Sequence, residues 1–374
     1  MTINAAVLVE AVRQTLGQHS GPSDNSRLLR AIGDEPELAQ FQDRFHFQVS
    51  SWARATHSGL AYWLLQRAQS ADPETAVAGL LRYVTNETIA GTHVMALGGV
   101  QVDRVVVLSE TMRLVPFAEI GQLTWASAIL GMYESFHENY RPRAALTERV
   151  EFRKAIREPD SPMDFPPNIY LALEDARRCM TAVGPSCPVW LGNWTELDSW
   201  VPTYGAAAAI PNPFETGGFP RELSMADWEI LSGLHKAWRN LSDGERKHLR
   251  VPLDRLNRAL RNVPPVDTAI ELGVAIDALF LAEREADRGE QTLTLRLRAS
   301  RFLGTTVADR KRLARLFGAL YRARSMAVHA GRLDDRIDGF DTRSLLADGG
   351  RLTSVALQRI IAEGEPDWTE LLFS

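Results

Sequence analysis

The chain of 374 residues contains little cysteine, with Cys179 and Cys187 its only two. No CxxC motif and no nearby pair of histidines accompanies them, so the sequence predicts neither a disulfide framework nor a structural zinc site. This cysteine usage fits a reducing compartment, and we expect a cytoplasmic location. We also expect no metal ion and no cofactor.

Long hydrophobic runs are absent as well. The most apolar segment, TAIELGVAIDALFLAE, is interrupted by Glu271 and Asp277 and is too short to cross a bilayer. The first residues, MTINAAVLVEAVRQTLG, carry Glu10 and Arg13 within their apolar run and predict an amphipathic helix rather than a secretion signal. We therefore expect no membrane partner.

Several common catalytic motifs are missing from the sequence. It has no GxxxxGK[ST], no GxGxxG after a strand, no HExxH and no GxSxG, which argues against nucleotide hydrolysis, dinucleotide redox chemistry and zincin chemistry. Seven of the eight histidines have no repeated spacing to carboxylates or cysteines and are predicted to be structural or surface residues. These are His19, His46, His57, His93, His137, His235 and His248.

The composition, with 45% apolar and 24% charged residues, is typical of a globular protein, and the length favours two domains. The Pro-, Gly- and Ala-rich stretch TYGAAAAIPNPFETGGFPRE predicts a linker over 203–222. We expect an α+β protein, in which a mixed α/β domain with a small β-sheet spans 1–202 and an all-α helical domain spans 223–374.

Periodicity assigns elements along the chain. The first seventy residues have helical spacing, whereas MALGGVQVDRVVVLSETMRLVPF predicts two strands joined by a turn at Ser109 and Glu110. A second β segment is predicted over 143–156, and the tryptophans of VWLGNWTELDSW are predicted to pack in a core. Helices are predicted beyond the linker over 225–240, 249–262, 267–286, 291–303, 308–328 and 351–364.

Positive charge is concentrated near the end of the chain. The net charge is -5, yet the segment from Thr292 to Arg332 contains ten Lys or Arg residues and one acid, Asp309, a local charge of about +9. Clustered cations displace the counterions of a nucleic acid, so phosphate groups suit this segment as a partner. The alternative is a face that is solvated or paired with acids.

Winding residues 310–329 as a helix separates two faces. Leu313, Leu316, Phe317 and Leu320 form an apolar stripe that must face a core. Four other side chains lie within roughly 40° of one another on the opposite, exposed side, where they predict a phosphate-binding row that ends in a histidine. They are Lys311, Arg315, Arg322 and His329.

Arg324 falls in the apolar stripe, where a guanidinium needs an anionic partner because an unpaired buried charge is costly. Asp277 is the candidate, since it lies on the stripe that Ile270, Val274 and Leu281 form in the predicted helix 267–286. Two opposite charges on core faces predict an ion pair or a shared polar pocket. An internal salt bridge without a catalytic role is the alternative.

The stretch YRARSMAVHAG, with Arg324 and His329 in an R-x4-H arrangement, resembles the mark of the HEPN domain in its Apea-like branch. The helix IELGVAIDALFLAE is similar to the acidic core helix of that family and supplies Glu271 and Asp277 as supporting acidic residues. The family commonly has a glutamate where this chain has Asp277. LRLRASRFLG, Arg310 and ALQRIIAEGEPDW continue the resemblance through the C-terminal part of the chain.

This resemblance implies a helical bundle that pairs as a symmetric homodimer, with two R-x4-H motifs around one cleft. It also implies metal-independent endoribonuclease activity, as in toxins and antiphage defence effectors, on a single-stranded or tRNA-like RNA. Under this interpretation Lys311, Arg315 and Arg322 bind RNA, and residues 1–202 have a sensor or regulatory role. A non-catalytic HEPN module that binds nucleotides or RNA, or only dimerises, remains an alternative. A helical interaction protein with an internal salt bridge is a third interpretation.

The residues fit the chemistry of RNA cleavage by 2′-hydroxyl attack, which needs a proton acceptor, a proton donor and positive charge at the developing phosphorane. Histidine exchanges protons near neutral pH, so His329 is assigned to acid/base catalysis. Arg324 is assigned to phosphate stabilisation or to fixing the site. Ser325 lies one turn before His329 and is expected to orient the imidazole or to contact phosphate.

Overall fold

The computed structural model describes most of the chain. The described residues are 3–17, 25–48, 51–120, 126–133, 141–158, 160, 169–184, 186–203, 208–209, 221–261, 263–281 and 288–373. Within these ranges, every helix is too short or too polar to pass through a bilayer.

The described residues form a mixed α and β structure in which helices predominate. The α-helices are α1 (Ala5–Gly17), α2 (Ser26–Gly33), α3 (His57–Ser70), α4 (Pro73–Thr85), α5 (Ala126–Tyr133), α6 (Leu171–Val183), α7 (Met225–Asn240), α8 (Asp243–Ala259), α9 (Pro265–Phe280), α10 (Arg288–Leu303), α11 (Val307–Ala330), α12 (Thr342–Glu363) and α13 (Trp368–Phe373). The strands are β1 (Arg44–Gln48), β2 (Ser51–Ala55), β3 (Thr88–Gly98), β4 (Val100–Gln101), β5 (Val106–Val107), β6 (Met112–Pro116), β7 (Ala144–Arg153), β8 (Ile156–Arg157), β9 (Val189–Leu197), β10 (Ala208–Ala209), β11 (Arg221–Glu222), β12 (Arg336–Ile337) and β13 (Phe340–Asp341).

The chain divides into two compact units, neither of which is one continuous segment. The first contains Met1–Val94, Glu148–Leu171 and Asn193–Ala209, and the second contains Met95–Thr147, Ala172–Gly192 and Ile210–Ser374. This division differs from the boundary predicted at 203–222. The linker was predicted from composition, but the two units depend on pairing between strands that are distant in the chain. For example, β11, which lies in the predicted linker, pairs in parallel with β4.

A six-stranded sheet has the order β10-β9-β3-β7-β6-β5. Its strands β5 and β6 pair antiparallel, with Val106 opposite Leu114, and the Ser109 hydroxyl accepts a hydrogen bond from the Met112 amide (3.0 Å) in the connecting turn. The predicted turn at Ser109 and Glu110 is confirmed. The β segment predicted over 143–156 is confirmed as β7, which is followed by β8.

The first unit has a helical core with a small hairpin. Apolar residues of α1 to α4 pack in one buried cluster. β1 and β2 form an antiparallel hairpin with Arg44 opposite Ala55, so the helical prediction for the first seventy residues is wrong there. The segment RFHFQ alternates polar and apolar residues, which is the period of a half-buried strand. The core prediction for the tryptophans is confirmed for Trp194, which is fully buried.

In the second unit, the C-terminal helices follow their predicted positions closely. Two of them begin six or more residues earlier than predicted: α8 at Asp243 instead of 249, and α12 at Thr342 instead of 351. The start of α8 is polar, and the start of α12 has only the adjacent Leu345 and Leu346 as large apolar residues, so neither shows apolar periodicity. Caps at Ser242 and Asp341 fix the two helix starts. Ser242 and Glu245 form a reciprocal capping box before α8.

Helices α9 and α11 lie at the centre of this helical region. α9 packs against α8, α11 and α12, and α11 packs against α10 and α12. Four aromatic side chains interlock between these helices and α13, with ring centroids 5.6–6.5 Å apart. They are Phe280, Phe302, Phe317 and Trp368. Burying each contributes about 1.5–3 kcal/mol, so the two helices that carry Arg324 and Asp277 are firmly held.

Candidate functional site

Helix α11 carries most of the predicted site. Thr306 caps its start, where the hydroxyl accepts from the Asp309 amide (3.1 Å), and Gly331 ends it with a left-handed conformation (φ 62°). The apolar stripe predicted from the sequence is buried in the structure. The opposite face of the helix is therefore the one left for binding.

Arg324 and Asp277 form the ion pair that their positions predict. Nη1 of Arg324 lies 2.9 Å from Oδ2 of Asp277, and the two side chains are 33% and 25% exposed. The predicted stripe of α9 needs correction. Ile270, Val274 and Leu281 are half-buried with Asp277, whereas the fully buried face includes Leu272 and Ile276. The helical winding grouped Asp277 with the correct neighbours. These residues form the edge of the buried face of α9, and not its centre as was predicted.

Gly273 allows the Arg324 side chain to cross α9. A Cβ atom at this position would lie 2.7 Å from Cγ and 2.8 Å from Cβ of Arg324, closer than real side chains approach. The arginine stem therefore packs directly on the backbone of α9, four residues before Asp277. The absence of a side chain at Gly273 positions the guanidinium for the ion pair.

The ion pair is incompletely satisfied. Burial raises the pKa of Asp277, and the attraction of Arg324 offsets this only in part. Nε of Arg324 is buried and has no hydrogen-bond partner among the residues that the structure describes. Carboxylates with a perturbed pKa cluster at functional sites, and a buried donor without a partner needs an explanation, so the pair is a candidate for a functional role.

His329 lies in the last turn of α11 and is exposed. Ser325, also exposed, precedes it by one helical turn and shares its face. Arg324 is five residues before His329, which rotates it by about 140° around the helix axis. Within one chain, α11 therefore presents His329 and Ser325 together, whereas Arg324 lies well away from them around the helix, on the side that packs against α9.

The predicted basic row is exposed along α11. Lys311, Arg315 and Arg322 are all exposed, and Arg322 forms a 2.7 Å ion pair with Asp338 in the turn between β12 and β13. The guanidinium of Arg315 lies 5.9 Å from the ring centroid of Phe340. These contacts hold the row against the β12–β13 hairpin.

A cavity of about 490 Å³ opens beside this row, and we call it the α10–α11 cavity. Its walls come from α10, α11 and the β12–β13 turn. They are formed by Thr292, Arg296, Arg315, Gly318, Tyr321, Arg322, Ser325 and Asp338. Three of the eight are arginines, so part of the predicted positive surface is concave.

The local charge of about +9 is not all available to a ligand. Arg298 is buried and donates from Nη1 to the Phe280 carbonyl (2.7 Å). Arg310 donates from Nε to the Gly304 carbonyl (3.1 Å). These two arginines tie helix ends together through backbone carbonyls, a use that neither the phosphate-binding prediction nor its acid-paired alternative anticipated. The phosphate-binding prediction concerns the remaining cations of the segment.

Glu271 lies apart from the predicted centre. It forms a 3.0 Å ion pair with Arg255 of α8. Residues six apart on a helix are rotated by about 240°, so Glu271 and Asp277 point to different neighbours. The structure thus brings Asp277, but not Glu271, to Arg324.

Sequence reasoning did not assign four residues that shape the site. Gly273 positions Arg324, while Arg296, Tyr321 and Asp338 line the α10–α11 cavity. The sequence did contain one indication, since Tyr321 is adjacent to Arg322 and the two together are compatible with a surface that is both aromatic and basic. Nothing local indicated that Asp338 would reach Arg322 from a hairpin turn.

The remaining histidines divide as follows. His46, His93 and His235 are buried, whereas His57 and His248 are half-buried. His19 and His137 lie outside the described residues. Within the described part of the chain, no three His, Cys, Asp or Glu side chains are grouped to hold a metal ion.

Comparison of the chain with family models, with curated proteins and with solved structures finds no match. The HEPN resemblance therefore rests on the R-x4-H motif and its sequence setting.

Proposed function

We propose that the chain is a metal-independent endoribonuclease of the HEPN type, in which residues 223–374 form the HEPN bundle. One observation carries the proposal. Arg324 is held by Asp277 across two core helices while His329, five residues later, is exposed at the end of a basic row. A purely structural salt bridge needs neither the exposed histidine nor the arginines that lead to it.

The proposed reaction uses the 2′-hydroxyl of RNA as the nucleophile. A base takes its proton, the 2′-oxygen attacks phosphorus, and the 5′-oxygen leaves with a proton from an acid. A 2′,3′-cyclic phosphate and a 5′-hydroxyl result. His329 exchanges these protons, since it is exposed to a large polymeric substrate. Arg324 stabilises the phosphorane or fixes the helix that carries His329.

A homodimer would complete this site. Arg324 and His329 of one chain lie about 140° apart around α11, and the reaction needs both a base and an acid. Two α11 helices paired about a twofold axis present two histidines and two arginines to one RNA strand. In this proposal the protein acts in the cytoplasm as a toxin or antiphage effector, and residues 1–202 respond to a trigger.

The test is cleavage of single-stranded RNA by the purified protein in EDTA. We expect His329→Ala to lower the cleavage rate by about 100-fold or more, the range for loss of general acid–base catalysis. His248→Ala is the matched control, because His248 is a partly exposed histidine of the same unit whose Nδ1 lies 3.4 Å from a carboxylate oxygen of Glu365, away from α11. Equal rates for His329→Ala and wild type would overturn the proposal.

The second candidate is a HEPN module that binds RNA without cleaving it. The ion pairs Arg322–Asp338 and Arg324–Asp277 favour it, because both arginines have protein partners. RNA binding with no His329-dependent cleavage, in the presence of the physiological trigger, would support this candidate over the enzyme.

A further inference from the structure

The α10–α11 cavity is built to hold its arginines in fixed places. Nε of Arg296 donates to the Ala314 carbonyl of α11 (3.1 Å), which anchors this side chain from α10 at the cavity wall. Gly318 makes room for it, since a Cβ atom there would lie 3.3 Å from Cδ of Arg296. The guanidinium is therefore positioned before any ligand arrives, which lowers the entropy cost of binding.

The cavity lies on the helix face that ends in His329. Arg315, Gly318, Arg322, Ser325 and His329 recur at intervals of three or four residues, so they follow one face of α11. Ser325 lines the cavity, and His329 is one turn beyond it, about 6 Å along the helix axis. A polymer whose phosphate lies at His329 would continue into the cavity with its neighbouring nucleotide.

The wall chemistry suits a nucleotide. Three guanidinium groups can bind phosphate oxygens, and the hydroxyls of Thr292 and Ser325 can donate further hydrogen bonds. Tyr321 offers an aromatic ring on which any base can stack. No other side-chain set in the described part of the chain combines these features beside a predicted catalytic residue.

Asp338 places a carboxylate in the same cavity. Asp338 has a left-handed backbone conformation (φ 49°) and forms a two-residue turn with Gly339 (φ 88°), as is typical of a tight β-hairpin. The turn holds the carboxylate 2.7 Å from Nη1 of Arg322. Both side chains are largely exposed, so the ion pair is weak and exchangeable.

We propose that the α10–α11 cavity is a nucleotide subsite for single-stranded RNA beside His329, and that Asp338 occupies its phosphate position as a competing anion until RNA binds. This inference deepens the proposed nuclease function and rests on it for the identity of the ligand. RNA displaces the carboxylate from Arg322, and the phosphate then interacts with Arg296, Arg315 and Arg322.

Binding is measured by fluorescence anisotropy with a short 2′-O-methyl oligoribonucleotide, which lacks the attacking hydroxyl. We expect Asp338→Asn to raise the affinity about three- to tenfold, because it removes a negative charge and a competing ion pair. Asp348→Asn is the matched control, since it breaks an exposed ion pair of the same kind, with Arg351 on α12 (3.3 Å), outside the cavity.

Two arginine variants test the cavity by removing the positive charges that are expected to bind phosphate. Arg315→Gln and Arg296→Gln should each weaken binding about tenfold and should reduce the slope of log affinity against log salt by about 0.7, as for one lost phosphate contact on a single strand. Arg315 is exposed, so its variant is not expected to disturb folding. A change in affinity without a change in salt slope would contradict a phosphate subsite.

The outcomes separate this inference from the nuclease proposal. If Asp338→Asn tightens binding and the arginine variants weaken it, the subsite stands even when no RNA is cleaved. If RNA is cleaved in a His329-dependent way while these variants and Asp348→Asn all bind like wild type, the nuclease proposal stands and the subsite is wrong.

Discussion

Two arrangements of arginine and aspartate occur in the second unit, and they differ in how completely the charges are paired. Between α6 and α8, which we call the α6–α8 cluster, Asp175 contacts Arg178 (2.8 Å) and Arg250 (2.8 Å). Arg178 in turn binds both carboxylate oxygens of Asp254 (3.0 and 3.1 Å). Between α9 and α11, Asp277 forms an ion pair with Arg324.

The difference appears in the pKa values. Burial acts to raise the pKa of Asp175, but hydrogen bonding and attraction from Arg250, together with attraction from Arg178, outweigh it and hold the pKa below its usual value. At Asp277 burial outweighs the single arginine, and the pKa is raised. A fully paired cluster stabilises its fold, whereas a half-satisfied pair retains capacity to interact with a ligand.

The largest expected effect is on stability. Asp175→Ala should lower the free energy of unfolding by about 3 kcal/mol, because it leaves a partly buried arginine without its carboxylate. Asp277→Ala should cost only about 1 kcal/mol, since its pair is less complete and more exposed. Urea unfolding of both variants is the measurement. Equal losses would remove the distinction between the two arrangements.

His93 is a buried titratable residue with no ionic partner among the residues that the structure describes, so its pKa shows the effect of burial alone. Burial lowers its pKa to about 4, and its Nδ1 lies 2.7 Å from the Thr195 hydroxyl. The folded state thus binds this proton less tightly than the unfolded chain, so stability is full above pH 6.5 and falls as the pH is lowered towards 4.

We expect His93 to account for a loss of about 2 kcal/mol in the free energy of unfolding between pH 8 and pH 5. His93→Gln, which does not titrate, should remove that part of the pH dependence. Unfolding by urea at the two pH values measures it. An unchanged pH dependence in the variant would show that His93 is accessible to protons in the folded state.

Gly273 tests the position of Arg324. Gly273→Ala should lower the free energy of unfolding by about 1–2 kcal/mol, because the new methyl group displaces the Arg324 stem. Gly233→Ala is the control, as this helical glycine of α7 has open space around it and should gain about 0.8 kcal/mol from helix propensity. Chemical denaturation compares them, and a gain in both variants would contradict the close packing of Arg324 on α9.

The smallest expected effect is on the pH dependence of stability, which should have opposite signs for Asp175 and Asp277. The lowered pKa of Asp175 gives stability that is present above pH 3.8 and is lost as the pH falls through its folded value. The raised pKa of Asp277 gives stability that is present below pH 3.8 and is lost as the pH rises through its folded value.

Acidification should therefore affect the two aspartates in opposite directions. Relative to wild type, Asp175→Asn should lose less stability between pH 6 and pH 4, and Asp277→Asn should lose more. Thermal or urea unfolding across this range is the check. The same direction in both variants would mean that Arg324 pairs with Asp277 as completely as the α6–α8 cluster pairs its charges.

Sequence reasoning predicted on which helix faces the main candidate residues lie, because helical periodicity is local. It placed Arg324 on a core-facing side and His329 on an exposed side, and it matched Arg324 with Asp277 from two independent helical windows. It failed for Glu271, whose partner Arg255 lies on another helix. Which charges meet between helices depends on helix packing, and periodicity does not report packing.

For the fold as well, local features could be predicted from the sequence and long-range pairings could not. Turn chemistry and apolar spacing located β5, β6 and most helices of the second unit, because these signals act over a few residues. The hairpin of β1 and β2 was missed within an otherwise helical region. The division into units was not anticipated either, since it depends on pairs such as Arg221 with Val100, far apart in the chain.

The sequence by itself determined the long helix α11, its buried stripe, the exposed His329 and the excess of positive charge around it. Only the tertiary structure decided that Gly273 would lie under Arg324, that Arg296 would cross from α10, and that a hairpin turn would place Asp338 against Arg322. The physical reason is that local patterns fix the face on which a side chain lies. The neighbour it meets there is fixed by contacts between segments that the chain brings together only when it folds.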